Sequence, residues 1–165
     1  MKRIIAVSDS HGDADALRRA FDQALRRGRI DATVFLGDGL GDFESIRPEL
    51  MKEGVSCHAV RGNNDWRYDD PAEIVFSLNG VKVYACHGHM WRVKYGLERL
   101  WYAAREREAQ VVLYGHTHCA KVDLEYGVTF VNPGSAGERF KNSIAYAEII
   151  IEDNGFVVPS LVKWE

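Results

Sequence analysis

The sequence predicts an α/β protein built from two packed, mixed β-sheets with helices outside. Two observations carry this prediction. Residues 1–65 alternate short β-branched runs with helical periodicity, a βαβαβ order that implies parallel strands joined by helical crossovers. The rest of the chain is richer in strands and carries three hairpin signals, Asn79-Gly80, Tyr126-Gly127 and Asp153-Asn154-Gly155. So much sheet with so few helices calls for two sheets packed on one another. At 165 residues the expectation is a single domain over 1–165, large enough to fold without a disulfide or a metal.

The elements follow in order. Ile4 to Val7 is a buried strand that ends in a polar loop. Residues 13–29 place Leu17, Ala20, Phe21 and Ala24 on one helical face, with acids at the start and arginines at the end, as the helix dipole prefers. Thr33 to Leu36 is a second strand. Residues 42–53 form a shorter helix, expected to bend or break at Pro48. Val55 to Val60 is a third strand. Glu73 to Leu78 and Val81 to Cys86 form the Asn-Gly hairpin, 94–108 a helix, and Val111 to Tyr114 a strand. Lys121 to Glu125 pairs with Val128 to Val131, and Ile144 to Ile151 with Phe156 to Val162.

Composition excludes several classes. A 46% hydrophobic, 27% charged chain with net charge −3 is an ordinary globular protein and implies no extended nucleic-acid surface. No apolar stretch approaches the ~18 residues of a membrane span, and Ile4 to Val7 is too short for a signal-peptide core. Cys57, Cys86 and Cys119 are odd in number, far apart and without a CxxC, which suits free thiols in a reducing cytoplasm.

The chemistry sits at the strand ends. The first strand runs into Asp9-Ser10-His11, the second into Gly37-Asp38, and the third into Gly62-Asn63-Asn64-Asp65. The hairpin strand runs into His87-Gly88-His89, and the next into Gly115-His116-Thr117-His118. Five of the six histidines lie in these loops, and His58 alone does not. Ligands in open α/β sheets bind beyond the carboxyl ends of parallel strands, and glycine lets a ligand approach the backbone closely. Taken singly, each loop is an ordinary polar turn or helix cap. Together they offer Asp9, His11, Asp38, Asn63, His87, His116 and His118, too many donors for one ion. That nitrogen and oxygen set suits Mn2+, Fe, Zn2+ or Ni2+ rather than Cu(I). Two ions sharing one carboxylate would use it well, as in two-metal sites with ions ~3.5–4 Å apart.

The series D-x-H, GD, GN-x-D, H and GHTH, closed by Asn132-Pro133-Gly134-Ser135, resembles the calcineurin-like metallophosphoesterase superfamily. The length and the closing segment are similar to its small bacterial and archaeal phosphodiesterase branch, which a eukaryotic retromer scaffold subunit shares. The resemblance implies a four-layer αββα sandwich. It also implies two divalent ions, Mn2+ foremost. One would be held by Asp9, His11, Asp38 and His118, the other by Asp38, Asn63, His87 and His116, with Asp38 bridging. A water or hydroxide bridging the ions would then attack phosphorus in line. Two divalent ions less the two carboxylates leave a site charge of about +2, which attracts a small phosphate ester despite the acidic surface.

One position departs from the family pattern. The residue after the asparagine is often histidine, which can protonate the leaving oxygen; here it is Asn64, which cannot. Asn64 can still donate a hydrogen bond to a phosphoryl oxygen, so phosphodiesters with good leaving groups are the expected substrates. The alternatives are a phosphomonoesterase or nucleotide pyrophosphohydrolase on the same centre, or a metal-binding scaffold without catalysis. Asp38, Asn63, Asn64 and Asp65 are the expected catalytic loop residues, with Asp65 mainly orienting the loop. Arg61 is a candidate phosphate contact, balanced against a surface ion pair. Trp66, Arg67 and Tyr68 read as ordinary loop packing, and His89 as a residue behind or beside the ligands. Trp91, Tyr95, Trp101 and Tyr102 read as core or interface, and an exposed patch there would mark a homodimer. Cys86 and Cys119 read as buried small residues. The loops at 66–72, 89–97 and 136–142 are expected to shape the pocket.

Overall fold

The computed structural model describes residues 1–138 and 141–165. Two five-stranded sheets stack face to face. The first contains β1 (Lys2–Val7), β2 (Ala32–Phe35), β3 (Ser56–Ala59), β9 (Ile144–Ile151) and β10 (Val157–Lys163), in the order β10-β9-β1-β2-β3. The second contains β4 (Glu73–Leu78), β5 (Val81–Cys86), β6 (Val111–Leu113), β7 (Lys121–Glu125) and β8 (Val128–Asn132), in the order β4-β5-β6-β8-β7. Helices α1 (Ala14–Arg26) and α2 (Leu40–Lys52) cover the first sheet, and α3 (Glu98–Glu106) covers the second. The result is the expected four-layer α/β sandwich.

Strand alternation builds the layers. In β1, Ile4 and Ala6 point between the sheets and meet Val83, Ala85, Val111 and Leu113. Ile5 and Val7 point the other way and meet Leu17 and Phe21 of α1. On the second sheet Tyr84, Cys86, Val112 and Phe130 face Leu100, Ala103 and Ala104 of α3. Every one of these side chains is buried, each large one stabilising the fold by about 1.5–3 kcal/mol relative to exposure. The amphipathic pattern of residues 13–29 becomes α1, with Asp13 capping its start by accepting from Ala16 N at 3.0 Å.

Three features differ from the expectations. Helix α2 starts two residues early and runs through Pro48 to Lys52 without a break. The helix expected over 94–108 is split: Val93–Tyr95 makes one 3-10 turn, and Gly96, at φ 134° and ψ 172°, takes a positive-φ conformation that favours glycine before α3 begins. Cys119 is exposed, because it lies beyond the end of β6 in the loop, whereas Cys86 is buried under α3 as read. Parallel pairing runs β1-β2-β3 in one sheet and β5-β6-β8 in the other. The carboxyl ends of β1, β2, β5 and β6 therefore deliver their loops to one edge of the sandwich. Among the described residues no helix is long and apolar enough to cross a membrane.

Candidate metal centre

Four of the strand ends at that edge carry the grouped donors. The β1 and β2 loops are stitched together by backbone bonds, Asp9 N to Gly37 O at 2.9 Å and His11 N to Asp38 O at 3.0 Å. The β5 and β6 loops are joined by Gly115 N to His87 O at 2.9 Å. The two sheets are tied across the edge by His116 N donating to Asp9 Oδ2 at 3.1 Å. Glycine is required where these loops touch. A Cβ on Gly62 would overlap the Asp38 carboxylate and backbone, and one on Gly115 would overlap Ser8 and sit 2.7 Å from Asp9 Oδ2.

Six of the seven expected donors come together in two groups: Asp9, His11 and His118 in one, Asp38, His87 and His116 in the other. His116 and His118, two positions apart, fall in different groups. Asp38 Oδ2 lies 3.3 Å from His87 Nε2 and 3.8 Å from His11 Nε2, so this carboxylate stands between the groups. The seventh expected donor, Asn63, is an exposed residue of the Gly62–Asp65 turn.

The backbone is strained where the donors sit. Asp9, His11, Asp38, His116 and His118 all adopt left-handed φ, between 45° and 69°. Such conformations cost about 1–3 kcal/mol each and persist only where surrounding contacts enforce them. Five of these six donors are held this way, which marks the edge as a site shaped for something other than stability.

The donor atoms face one another. His87 Nδ1 lies 2.6 Å from the carbonyl of Leu36, which can only accept, so Nδ1 carries the proton and Nε2 presents a lone pair. That lone pair points at His116 Nδ1, 3.2 Å away, and at Asp38 Oδ2. In the other group His11 Nε2 and His118 Nε2 are 3.1 Å apart. Asp9 Oδ1 is buried without a hydrogen-bond donor among the described residues and looks at His118 Nε2 at 3.2 Å and His11 Nε2 at 3.5 Å. Buried acceptors are almost always satisfied, so an orphaned carboxylate oxygen amid imidazole nitrogens fits a cation.

Electrostatics agree with the geometry. Burial pushes Asp9 upward, but His11 and His118 beside it, then His87 and Ser8, hold it well below the carboxylate range. Burial also opposes ionisation of Asp38, yet His87 and the amides of Asn64 bring it down to about 2. Burial and the neighbouring His87 push His116 down to about 4. Both carboxylates are thus ionised at neutral pH and the His116 imidazole is neutral, the states that metal ligation needs.

The remaining expected residues take definite places. Asp65 is buried and points away from the donors. Its carboxylate accepts from the backbone amides of Asp38 at 2.7 Å, Gly62 at 2.8 Å and Gly39 at 3.0 Å, which binds the β2 and β3 loops together. Asn64 donates to Asp38 twice, through its backbone N and its side-chain amide, each at 2.8 Å. Arg61 makes neither an ion pair with an acid among the described residues nor a free cation: its guanidinium donates to the Tyr68 carbonyl at 3.2 Å and so closes the loop. Trp66 is 74% exposed with Arg67 stacked over it, which corrects the reading of that stretch as packed. His89 packs beside His87 and His116, with ring centroids 5.4 and 6.1 Å apart. Trp91 and Trp101 are half-buried against the α3 core, whereas Tyr95 and Tyr102 are exposed. Of the 136–142 loop, residues 139 and 140 lie outside the described residues.

Several supporting residues carry no motif of their own. Asp42 of α2 accepts from Ser10 Oγ at 2.6 Å and Gly12 N at 2.9 Å, bracketing the strained His11. Asn132 donates to Thr117 Oγ1 and the Gly115 carbonyl, and Ser135 donates to the Asp9 carbonyl at 2.7 Å. Glu138 faces His118 Nδ1 at 3.5 Å. Only the Asn132–Ser135 segment had a sequence signal.

Comparison with known proteins fits this edge. A probable metallophosphoesterase of Bacillus subtilis, YsnB, is 28% identical over 156 residues, covering 94% of this chain and 88% of that protein. Vacuolar protein sorting-associated protein 29 of Schizosaccharomyces pombe is 30% identical over 162 residues, covering 96% and 82%. The crystal structure of a conserved Streptococcus pneumoniae protein, described as a predicted phosphoesterase, superposes with a TM-score of 0.72 at 29% identity over 97% of both chains. The family model for the calcineurin-like phosphoesterase superfamily domain matches residues 1–154, and with it the whole donor edge: this chain belongs to that metal-dependent superfamily.

Proposed function

We propose that the chain is a metal-dependent phosphodiesterase whose centre holds two divalent ions. The observation that carries this is the pair of donor groups that flank Asp38, with imidazole nitrogens and the orphaned Asp9 Oδ1 brought within a few ångströms of one another. In this reading Asp9, His11 and His118 would hold one ion, His87 and His116 the other, and Asp38 would serve both. Asn63 completes the second ion's donors from the exposed turn. Bound divalent ions supply Lewis acidity, acidifying the attacking water and neutralising charge that develops on the phosphoryl oxygens. Mn2+ leads, with Ni2+, Fe or Zn2+ also suited to these donors.

The chain's own residues then set the substrate. Asn64 fixes the Asp38 carboxylate and offers no proton of useful acidity. A leaving group must therefore depart without strong acid help, which favours diesters with good leaving groups over alkyl monoesters. Arg61, engaged with the Tyr68 carbonyl through Nη1, supports the loop that carries Asn64, and in this reading its remaining N–H groups serve a phosphoryl oxygen. Bis-p-nitrophenyl phosphate and p-nitrophenyl phosphate, offered after chelation and re-addition of Mn2+, test the reading. Metal-restored preference for the diester supports it; preference for the monoester contradicts the role given to Asn64.

A second reading is a protein-interaction scaffold, favoured by the similarity to the sorting-associated protein over 96% of the chain. The exposed Tyr102 and Tyr126, packed edge-on to Trp101, offer a surface for a partner or for a second copy in a homodimer. Two bound ions with no hydrolysis of either ester would select the scaffold. The free thiols of Cys57, Cys86 and Cys119 support a cytoplasmic location in either case.

A further inference from the structure

The two donor groups are not built alike. Asp38, His87 and His116 form the inner group: His87 is fully buried, and its ring is fixed by the Leu36 carbonyl. Asp9, His11 and His118 form the outer group, where the two imidazoles remain 37% and 31% exposed. An exposed imidazole is free to turn unless its far nitrogen is held. For His118 that nitrogen, Nδ1, faces the carboxylate of Glu138 at 3.5 Å, while Nε2 faces Asp9 Oδ1 at 3.2 Å.

We propose that Glu138 is a positioning residue for His118 and sets the ion affinity of the outer group. This rests on the dinuclear reading above. A carboxylate can only accept, so it holds the imidazole in the tautomer with the proton on Nδ1 and the lone pair of Nε2 turned to Asp9. It also raises the basicity of the ligating nitrogen. Carboxylates behind metal-bound histidines act in this way, and their loss lowers metal affinity by roughly 10–100-fold. Glu138 is not itself a donor to either group.

Glu138 is placed for this by the chain and not by chance contact. It ends the short 3-10 turn Ala136–Glu138, which is bonded to the β1 loop through Ala136 N to Ser8 O at 2.9 Å and Gly137 N to Asp9 O at 3.2 Å. A Cβ on Gly137 would collide with the Ser10 carbonyl, so the turn lies flat against the loop that carries Asp9 and His11. Its far end is held by Asn142 N donating to the Glu138 carbonyl at 2.7 Å. The same segment thus fixes the backbone of Asp9 and the ring of His118, two of the three outer donors. Asp42 fixes the third from the backbone side, through Ser10 and Gly12. The inner group has no comparable dependence on Glu138: the His87 ring is held by the Leu36 carbonyl, and the Glu138 carboxylate faces His118.

Mn2+ binding to the chelated full chain, followed by electron paramagnetic resonance and titration calorimetry, tests this. Wild type is expected to bind two ions. Glu138→Ala should weaken one step by roughly 10–100-fold and leave the other unchanged, and His118→Ala should abolish the same step. Glu138→Gln, whose amide oxygen still accepts from Nδ1–H, should lose less. Melting of the metal-free variants at the wild-type temperature shows that the fold is kept. Two unchanged steps in Glu138→Ala, or two steps weakened alike, overturn the assignment while leaving the dinuclear reading intact. A wild-type chain that binds no Mn2+ overturns both.

Discussion

At the scale of single residues, the site depends on acids that cannot be neutralised and on imidazoles that can. Asp38 is held to about 2 and Asp9 lower still, whereas Asp9 raises His11 and His118, and the two carboxylates outweigh the effect of burial on His87. Metal should therefore be lost on acidification as protons compete for these histidines, from above the ordinary imidazole value of about 6.5 downward, and not in the carboxylate range. Retention of Mn2+ across a pH series, read by elemental analysis after desalting, checks this; release only below pH ~4 contradicts it. Asp38→Ala removes the carboxylate that stands between the two groups and should abolish ion binding and hydrolysis together. An active, metal-free variant rules that out. Asn64→His supplies an acid to the leaving oxygen, and should raise monoester hydrolysis by roughly 10-fold or more relative to the diester.

At the scale of elements, the donors are delivered by strands and tuned by the turns that follow. The strand-end loops were legible because each combined an apolar run, a glycine and an acid or imidazole, and β-strand alternation fixed which side chains reached the core. The Asn79-Gly80 hairpin was legible to the residue, since Asn79 at φ 48° and Gly80 at φ 77° are the left-handed pair that such a turn demands. The Gly96 break was not, because the periodicity of residues 94–108 hides one positive-φ residue. Asp42 and Glu138 were not either: an acid in a helix or loop has no spacing that announces a neighbour brought in from a distant strand. Asn132 gains its place in the same way, by binding a loop 15 residues away. Gly62→Ala should lose metal, since its Cβ would overlap Asp38, and its circular dichroism should stay that of wild type. Leu17→Ala, in the α1 interface and in neither donor group, should cost about 2–5 kcal/mol of stability and leave metal affinity unchanged, as denaturant melts and Mn2+ titration would read.

At the scale of the whole molecule, stability and function are laid out at different places. The three apolar clusters lie between and outside the sheets, while the strained, charged residues are gathered at one edge. On the proposed function, ions at this edge would satisfy the buried Asp9 Oδ1, and their loss would leave the apolar clusters intact. Chelation should therefore lower the melting temperature without unfolding the chain, and added Mn2+ should raise it with concentration by mass action. A melting temperature indifferent to both would mean that the edge holds no ion.

The central claim is that this edge binds two ions and needs both to cleave a phosphodiester. Equilibrium dialysis of the chelated chain against increasing Mn2+, with bis-p-nitrophenyl phosphate hydrolysis measured on the same samples, tests it most directly. Occupancy should rise to two ions per chain, with hydrolysis appearing as the second ion binds. Saturation at one ion, or full hydrolysis by the chain without metal, would contradict the account.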